Sequence, residues 1–483
     1  MVEKVANFIG GQWETSATSH TVDVVNPATG EMLATVPMSR ATEVDRAVSV
    51  ATQAFASWRQ VPAVVRARYL FRFKALVETH AEELARTITL EHGKTLDEAR
   101  GSVRRGLENV EHACGMPAHL LGDMLEDVTA GVDTETTRQP IGVFAAATPS
   151  SYPAMVPLWF WPYAVAAGNT FIVKPSQQVP LSQQFLFELV EQAGFPAGVI
   201  NLVHGDKEVV EALIEHPDLS GLSFVGSTPV ARKVYQRAAE RGKRIQALAG
   251  AKNHLVVMPD AKMERTVASI TESCFGCTGQ RSFAGSVVIA VGDVYKRLRV
   301  QLVEAAKEIV VGNGLDFDVT MGPVISARHR DRILSAIEAG LADGANLLLD
   351  GREVAPKGPP AGNWLGPTIL EDVTDGMTIA REEISGPVML LRRAANLDDA
   401  LEMIRASEYA SAASIFTSAG KTARDFRYRV PTSMVGVNVG VVTPMAFFPY
   451  GGARNSFFGD LKAHGKDAIS FYTDQKVTIS RWF

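Results

Sequence analysis

Between residues 141 and 242, short apolar runs alternate with amphipathic runs, and this alternation constrains the fold more than any other feature of the chain. Four runs have the composition of buried strands that end in turns: IGVFAAATP, NTFIVKPS, AGVINLVHG and LSGLSFVGS. Helical spacing follows in VPLSQQFLFELVEQAG, DKEVVEALIEHP and TPVARKVYQRAAERG. Strands and helices that alternate at short intervals are typical of βαβ units. The sequence therefore predicts an α/β fold with a doubly wound parallel sheet.

Two regions flank this unit with other patterns. Apolar spacing predicts a helix over residues 43–58, with Thr42 as its N-cap and Asp45 three residues on. A second α/β region extends from 253 to 445 and includes the runs HLVVMPD, GSVVIAVG and SMVGVNVG. The chain therefore has enough alternating structure for two α/β domains.

Residues 121–139 have a different pattern, in which polar and apolar side chains alternate around Gly131. This pattern predicts a hairpin that leaves the body of the protein. The tail after residue 464 also ends in an alternating stretch. It could pair with an edge strand, for example with the same hairpin in a neighbouring subunit.

Composition excludes several classes of function. The 483 residues are 46% hydrophobic and 21% charged, which is ordinary for a globular protein, and the net charge of -5 comes without a long basic run. Binding to nucleic acid or to an anionic membrane is therefore not expected. The apolar run AMVPLWFWPYAVAAG is too short to span a bilayer, and the first residues lack the apolar stretch of a secretory signal. With only three cysteines, we expect a cytoplasmic protein.

Cys274 and Cys277 form a CxxC pair. Such a pair could be a redox couple or half of a metal site, or simply two small apolar residues on one helical face. No second Cys or Cys/His pair lies nearby, so we predict neither a metal site nor a redox role.

Three strand ends in the first α/β unit carry residues that suit a nucleotide. Lys174 follows an apolar strand, Gly205 follows the next, and Gly226 and Ser227 lie between a strand and a helix. Ligands bind at the carboxyl ends of parallel strands, and free amides at a helix start suit a pyrophosphate. None of these stretches is a GxGxxG fingerprint, so each glycine alone could also be an ordinary turn.

The loop FGCTGQRSFAGS separates a helical run from the strand-like run SVVIAV. A polar loop with glycines between two buried elements is a common place for catalytic residues. Ser282 lies in its centre.

With these pieces in view, the chain resembles the aldehyde dehydrogenase superfamily over essentially its whole length. The similarity is carried by NPATGE, PIGVFAAATPSSYPAMVPLW, GNTFIVKPS, SFVGSTPVA, FGCTGQR, EEISGPV and GVNVG. Within the superfamily it most resembles the methylmalonate-semialdehyde dehydrogenases, which transfer the acyl group to coenzyme A, through GAKNHLVVMPDA and AFFPYGGARNSFFGDLKAHGKDAISFYT.

The resemblance implies an aldehyde dehydrogenase-like α/β fold in three parts. A Rossmann-like NAD(P)-binding domain would comprise residues 1–120 and 140–247, and an α/β catalytic domain residues 248–445. A β oligomerisation arm would comprise residues 121–139 and 464–483, so a homodimer or homotetramer is expected.

The resemblance also implies a chemistry. A Cys thiolate attacks the aldehyde, an Asn side chain helps to hold the oxyanion, hydride passes to the nicotinamide, and the thioester goes to water or coenzyme A. The catalytic positions correspond to Ser282, Ser151 and Leu248, and Arg105 and Arg281 correspond to a pair that binds a substrate carboxylate. The implied NAD or NADP contacts are Thr148, Pro149, Lys174, Ser176, Gln177, Gly205, Gly226, Ser227, Val230, Glu383 and Ser385.

Several of these positions depart from the family pattern. Ser282 stands where the nucleophilic Cys is expected, Ser151 where the oxyanion Asn is expected, and Leu248 where many members have a Glu base. Ser385 replaces an aromatic residue. Gln177 replaces a Glu that binds ribose, so tolerance of NADP is expected.

Two interpretations of function follow from these departures. The chain could be an NAD(P)-dependent enzyme that oxidises a small carboxylate-bearing semialdehyde of the malonate or methylmalonate type, with activity blanked or altered at Ser282. Alternatively, it could bind the cofactor without dehydrogenase turnover, as a structural protein or a weak Ser esterase. Ser282 could be natural or an engineered replacement.

Overall fold

The computed structural model describes residues 3–483, which form four β-sheets and the helices that cover them. The strands are β1 (Glu3–Lys4), β2 (Asn7–Ile9), β3 (Gln12–Glu14), β4 (Thr21–Val25), β5 (Met32–Pro37), β6 (Met124–Thr129), β7 (Val132–Pro140), β8 (Val143–Ala147), β9 (Thr170–Lys174), β10 (Ile200–Leu202), β11 (Leu219–Val225), β12 (Arg244–Leu248), β13 (Asn253–Val257), β14 (Gly285–Val291), β15 (Asn346–Leu349), β16 (Thr368–Glu371), β17 (Val388–Ala394), β18 (Ala412–Phe416), β19 (Met434–Val437), β20 (Phe457–Phe458) and β21 (Thr473–Arg481).

The α-helices are α1 (Ala41–Trp58), α2 (Ala63–Thr79), α3 (Ala81–His92), α4 (Leu96–Cys114), α5 (Met116–His119), α6 (Trp161–Ala167), α7 (Leu181–Ala193), α8 (Lys207–Glu215), α9 (Thr228–Glu240), α10 (Met263–Phe275), α11 (Val294–Lys307), α12 (Ala327–Ala342), α13 (Thr378–Arg381), α14 (Leu397–Ala406), α15 (Gly420–Arg429) and α16 (Gly465–Phe471). Short 3₁₀ turns lie at Pro157–Trp159, Gly276–Gly279 and Gly351–Glu353. Within the described residues, no helix is long and apolar enough to cross a membrane.

An eight-stranded sheet contains the predicted doubly wound unit. Its order is β20-β12-β11-β8-β9-β10-β2-β3, and the five central strands from β12 to β10 are parallel. Strands β8 and β9 are buried at every position, which explains their uninterrupted apolar runs. The chain leaves β8 toward β9 and leaves β11 toward β12, so a topological switch point lies between β8 and β11. A ligand crevice is expected there.

A seven-stranded sheet forms the second α/β unit, in the order β15-β16-β17-β14-β13-β18-β19. Its strands are parallel except for β15 at the edge. Side chains of β14, β16 and β17 pack on both faces, against α12 on one side and against α10 and α11 on the other. The loop that contains Ser282 enters this sheet at the start of β14.

The hairpin β6–β7 and the C-terminal strand β21 form a separate three-stranded sheet. The register of β21 on β7 runs from Thr473 opposite Pro140 to Arg481 opposite Val132, within one chain. Pairing of the tail with the hairpin of a neighbouring subunit was therefore wrong. Asn169 fixes the exit of the tail from the core, because its side chain donates to the Tyr472 carbonyl at 2.8 Å and so directs β21 to the chain's own hairpin.

The predicted first helix is confirmed, but its predicted N-cap is not. Helix α1 begins at Ala41, and Arg40 is the N-cap residue instead of Thr42. The Glu43 carboxylate accepts the backbone N–H of Arg40 at 3.0 Å, and this bond satisfies a free donor at the helix start. The helix therefore begins before Thr42.

Candidate active site

The loop that follows β11, at the switch point, leads into a cofactor groove. We use this name for a cavity of about 820 Å³ whose wall includes Ser227, Thr228, Arg332, Glu383 and Tyr409. Ser227 is the residue before α9, and its side chain caps no helical N–H. Its hydroxyl and the first amides of α9 are therefore free to face an anion, as a pyrophosphate requires.

Close backbone approaches explain the glycines around the groove. A Cβ on Gly226 would lie 2.7 Å from the Phe224 ring. A Cβ on Gly250 would collide with the Glu383 carboxylate, and Gly205 has a φ of +149° beside Val209. These positions need glycine because a Cβ would collide with the neighbouring side chains.

Glu383 is oriented toward the groove by the backbone. Its carboxylate accepts the N–H of Ala251 at 3.2 Å, while burial raises its pKa. The carboxylate keeps oxygen lone pairs that can accept ribose hydroxyls. The residue two positions later, Ser385, has a φ of +55°, and its carbonyl accepts Nε2–H of His329 at 2.7 Å.

Lys174 ends strand β9 and is only 6% exposed. Burial lowers its pKa to about 8, which Asp206 partly opposes. Within the described chain its ammonium has no hydrogen-bond or ion-pair partner. The Thr148 hydroxyl, after β8, is also buried without a partner. An unpaired buried cation and an orphaned hydroxyl fit the oxygen-rich ribose and phosphates of a dinucleotide.

The other residues predicted to contact the cofactor lie around the same strand ends. Pro149 and Ser176 follow β8 and β9, and Gln177 is half-buried in the turn after β9. Val230 lies in the first turn of α9 with an exposed side chain, so it can offer an apolar surface to a base. Within residues 3–483, no hydrogen bond or ion pair joins these four residues to Glu383.

Ser282 lies in a loop that the core holds in place. The Asn253 side chain donates to the Ser282 carbonyl at 2.9 Å, and Ser282 Oγ lies 3.1 Å from the Tyr450 hydroxyl. Burial raises the pKa of Tyr450 to about 12, so its phenol is protonated at neutral pH and accepts no proton from serine. Leu248 ends strand β12, and its side chain is apolar and buried. Among the described residues, the Ser282 hydroxyl therefore has a hydroxyl partner and no hydrogen-bonded general base.

Tyr450 is 168 positions from Ser282 in the sequence, so no local pattern predicts that the two hydroxyls are partners. Tyr450 is buried and held by its backbone, which exchanges hydrogen bonds with Ala463 at 2.6 and 3.0 Å. Its ring contacts Trp159 and stacks on His464, with centroid distances of 4.7 and 5.5 Å. The hydroxyl that faces Ser282 is therefore rigidly placed.

Ser151 lies in the loop after β8, where its carbonyl accepts Nζ of Lys94 at 2.7 Å. The Lys94 ammonium also lies 3.8 Å from the centre of the Tyr152 ring. These contacts fix the loop backbone beside the Ser151 side chain. Its hydroxyl has no hydrogen-bond partner within residues 3–483, so it is free to donate to a ligand.

Arg105 and Arg281, which are far apart in sequence, line one cavity of about 630 Å³. We call it the arginine cavity; Tyr152, Cys277 and Phe283 also line it. Both arginines already have partners, because Arg105 pairs with Glu108 at 3.0 Å and Arg281 donates to the carbonyls of Glu272 and Ser273. Their remaining N–H groups can bind a carboxylate, and Arg281 Nε has no partner in the described chain.

The two cysteines of the CxxC pair do not share a helical face. Cys274 lies in α10, but Cys277 follows the end of that helix and has a φ of +51°. Both are free thiols, and burial raises the pKa of each. The Cys277 sulfur lies 3.5 Å from the Tyr152 hydroxyl, so a thiol does line the arginine cavity, five residues before Ser282.

The chain that carries this site is similar to known proteins over nearly its whole length. A family model described as "Aldehyde dehydrogenase family" matches residues 13–478. Malonate-semialdehyde dehydrogenase 2 of Geobacillus thermodenitrificans (strain NG80-2) is 49% identical over 476 residues, and the match covers 98% of each chain. Malonate-semialdehyde dehydrogenase of Halalkalibacterium halodurans is 48% identical over 480 residues, which are 99% of each chain.

Solved structures agree with these relatives. Methylmalonate-semialdehyde dehydrogenase from Oceanimonas doudoroffii superimposes with a TM-score of 0.97 at 42% identity, covering 100% of this chain and 99% of that one. A protein of Sinorhizobium meliloti 1021 that was crystallised with NAD gives a TM-score of 0.98 at 39% identity, covering 100% and 98%. The chain therefore belongs to the aldehyde dehydrogenase family of enzymes.

Proposed function

We propose that this protein recognises NAD or NADP and a small carboxylate-bearing semialdehyde of the malonate or methylmalonate type. We further propose that, with Ser282 at the nucleophile position, it oxidises that aldehyde slowly or not at all. The observation that carries the proposal is the pairing of Ser282 Oγ with the Tyr450 hydroxyl at 3.1 Å, in a site without a base for the serine.

Cofactor binding is supported by the groove at the switch point. When bound there, the nicotinamide would supply the hydride acceptor. Lys174 and Ser227 would hold phosphate or ribose oxygens, and Glu383 would hold ribose hydroxyls. Gln177 in place of an acid would repel a 2′-phosphate less, so we propose that NADP is tolerated.

The arginine cavity supports the proposal that the substrate carries a carboxylate. Arg105 and Arg281 converge on it, and a guanidinium matches a carboxylate in shape and charge. Tyr152 and Phe283 lie with ring centroids 5.3 Å apart on its wall and limit the size of the organic part. The cavity therefore favours a short chain with one anionic end.

Attack on the aldehyde carbonyl would require Ser282 to lose its proton. A serine hydroxyl is not ionised near neutral pH, and Tyr450, with a pKa of about 12, does not take the proton. The same argument weakens the proposal of a Ser esterase, because an esterase needs the same base. Ligand binding with no dehydrogenase turnover is the second candidate, and it shares the recognition sites of the first, which turns over slowly.

For any acyl group formed here, coenzyme A is the proposed acceptor. Leu248 occupies the position of the Glu base that many family members use to activate water. Its buried apolar side chain cannot deprotonate a water molecule. A thiol acceptor would not need that base.

We also propose that the protein is cytoplasmic and self-associates as a homodimer or homotetramer. Support for self-association comes from the three-stranded sheet, where Leu125, Val477 and Ile479 are 63%, 61% and 70% exposed. Apolar residues so exposed on one small sheet mark a contact surface. Support for the compartment comes from the three free thiols.

Calorimetry with NAD and NADP, combined with a steady-state assay of NADH formation from malonate semialdehyde, tests the main proposal. The expected result is cofactor binding with little or no NADH, with or without coenzyme A. Robust turnover would show that another nucleophile acts. Absence of binding by both cofactors at millimolar concentration would remove the oxidoreductase function.

A further inference from the structure

Lys252 is a buried cation behind the cofactor groove. It ends the loop between β12 and β13, is only 2% exposed and does not line the groove. Its Nζ donates to the carbonyls of Ile379 and Glu382, each at 2.7 Å, and among the described residues it forms no ion pair. Burial of an ammonium without a carboxylate partner costs free energy. Such a charge is a feature of functional sites as well as of structural networks.

The two carbonyls that Lys252 holds belong to the short helix that leads to Glu383. Helix α13 ends at Arg381, and Glu382 is its C-cap residue. The last carbonyls of a helix have no partner within the helix, and a lysine side chain can supply one. Because the Glu382 carbonyl is part of the planar peptide unit that joins Glu382 to Glu383, Lys252 fixes the backbone that enters Glu383.

A second contact joins the same two segments. The backbone N–H of Ala251 donates to one oxygen of the Glu383 carboxylate at 3.2 Å. The other oxygen lies so close to Gly250 that a Cβ on that glycine would be 2.3 Å away. Lys252 therefore fixes the backbone before Glu383, and the residue next to it fixes the end of the Glu383 side chain.

Helix α12 holds the segment on the other side of Glu383. Arg332 donates to the Ile384 carbonyl at 3.1 Å, and Nε2–H of His329 donates to the Ser385 carbonyl at 2.7 Å. Neither bond reaches the peptide unit before Glu383. Within residues 3–483, Lys252 is the side chain that donates to the carbonyl of that unit, so no neighbour replaces it.

The charge of Lys252 also favours the ionised form of Glu383. Burial raises the pKa of Glu383, and the cations Arg332 and Lys252 oppose that shift. Burial lowers the pKa of Lys252 to about 7, and the carboxylates of Glu383 and Glu382 oppose that shift in turn. An ionised carboxylate accepts hydrogen bonds at both oxygens, as a pair of ribose hydroxyls requires. Loss of the ammonium would therefore weaken both the placement and the charge of this carboxylate.

We infer that Lys252 is a positioning residue for the coenzyme, because it holds the Glu383 carboxylate where the ribose next to the nicotinamide binds. The inference rests on the proposed function, which assigns ribose hydroxyls to Glu383. The nicotinamide ribose is the one concerned, because Glu383 belongs to the same α/β unit as Ser282, where a hydride would leave the aldehyde. Lys252 acts through Glu383 and does not itself line the groove.

Calorimetric titrations of the full chain with NAD and with ADP test the inference, because ADP has the adenosine and both phosphates of NAD but lacks the nicotinamide ribose. Lys252→Met should lower NAD affinity by about tenfold to a hundredfold, the range for a hydrogen bond to a charged group, and leave ADP affinity unchanged. Glu383→Gln should show the same selective loss. The double variant should lose no more than either single variant, because both changes remove the same contact.

Lys243→Met is the matched control. Lys243 is also a buried lysine that donates to two backbone carbonyls, those of His216 and Leu219, but it lies at the opposite end of β12. Its loss should lower stability and leave both affinities unchanged. Where Lys252→Met does not fold, Lys252→Gln, which keeps N–H donors without the charge, takes its place and should show the same selective loss.

The inference is overturned if the Lys252 variant loses NAD and ADP affinity equally or loses no NAD affinity. It is also overturned if the losses add in the double variant, or if Lys243→Met shows the same selective loss. Absence of binding of both NAD and ADP by the unmodified protein would instead contradict the proposed function, and the inference with it.

Discussion

The cofactor groove is walled by residues of both α/β units, whereas the Ser282 loop leads into β14 of the second unit, and the two regions differ in how well they suit the chemistry of the family. Ser227 and Glu383 line the groove with polar groups left free for a ligand, and Lys174, at the end of β9, is a buried cation without a partner among the described residues. In the loop, Ser282 is paired with Tyr450 and has no base. Under the proposed function, the protein keeps residues that would recognise its ligands and lacks the group that would react with them.

The two regions also differ in whether their chemistry depends on the backbone or on a single side chain. The groove depends on backbone features, such as the helix start at Thr228 and the close approach at Gly250. The reactive position depends on one side chain. A single substitution can abolish the reaction while the fold and the groove stay intact, which makes the comparison testable by mutation.

The largest effect is expected from Ser282→Cys. A thiol with a pKa of about 8.5 is a few per cent ionised near neutral pH, whereas the serine hydroxyl is not, so NADH formation with coenzyme A should rise by several orders of magnitude. Steady-state assays with malonate semialdehyde measure the gain. Ser286→Cys, which adds a thiol four residues along the chain, should give none.

The size of that gain distinguishes one lost residue from a wider change. If Ser282→Cys alone gains little and Ser151→Asn adds to it, the oxyanion site is also short of a donor worth ~3–4 kcal/mol. Such a result would place Ser151, like Ser282, among the altered positions.

Next in size is the effect of Arg281→Leu in the Ser282→Cys background. Loss of a charge-assisted contact of ~1.5–3 kcal/mol should lower kcat/KM for the semialdehyde acid by roughly tenfold to a hundredfold. Propanal, which lacks the carboxylate, serves as the control substrate and should be nearly unaffected. Equal losses with both substrates would mean that Arg281 acts only by holding the carbonyls of Glu272 and Ser273.

A pH effect of similar or smaller size is expected in the groove. Burial lowers the pKa of Lys174 to about 8, so its ammonium is present below that pH and is lost as the pH rises through it. NAD affinity should therefore fall above about pH 8, by up to roughly tenfold for one charge-assisted bond. Calorimetry across this range tests the effect, and Lys174→Arg, which stays charged, should remove it. If Lys174→Arg loses NAD affinity above about pH 8 to the same extent as the unmodified protein, the effect does not come from Lys174.

Discrimination between cofactors should be weak. With Gln177 in place of an acid, NAD and NADP should bind within about tenfold of each other, or ~1.4 kcal/mol. Parallel titrations measure the ratio. Gln177→Glu should increase the preference for NAD; if it leaves the ratio unchanged, the residue does not face the 2′ position.

The smallest effect is expected on stability. Tyr450→Phe removes the partner of the Ser282 hydroxyl and should lower the free energy of unfolding by ~1 kcal/mol. Tyr428→Phe is the control, because Tyr428 is 92% exposed. Denaturant unfolding compares the two variants, and equal stabilities would mean that water replaces the Tyr450 hydroxyl at no cost.

Local pattern predicted those features of the protein that are encoded locally. The alternation between residues 141 and 242 predicted the parallel strands from β8 to β12, and turn residues predicted the strand ends at Lys174 and Gly226. The predicted cap of α1 was wrong because the Glu43 carboxylate accepts the backbone N–H of Arg40. The spacing of Thr42 and Asp45 did not indicate this hydrogen bond.

Features that depend on long-range contact were not predictable in this way. Tyr450 contacts Ser282 across 168 residues, and His92, Ser150 and Arg328 line one cavity only because α3, the β8 loop and α12 converge. The partner of the C-terminal strand was also decided in three dimensions, since Asn169 fixes the position of Tyr472 before β21 begins. No residue spacing in the sequence predicts these long-range contacts.

A single-turnover experiment tests the central claim most directly. The unmodified protein, in excess over malonate semialdehyde and saturated with NAD, is mixed with its aldehyde in the presence of coenzyme A, and NADH absorbance is followed. Because product release cannot limit a single turnover, the signal reports the chemical steps up to hydride transfer. We predict no rapid NADH formation from the unmodified protein and a rapid stoichiometric burst from Ser282→Cys under the same conditions. A stoichiometric burst from the unmodified protein would contradict the account.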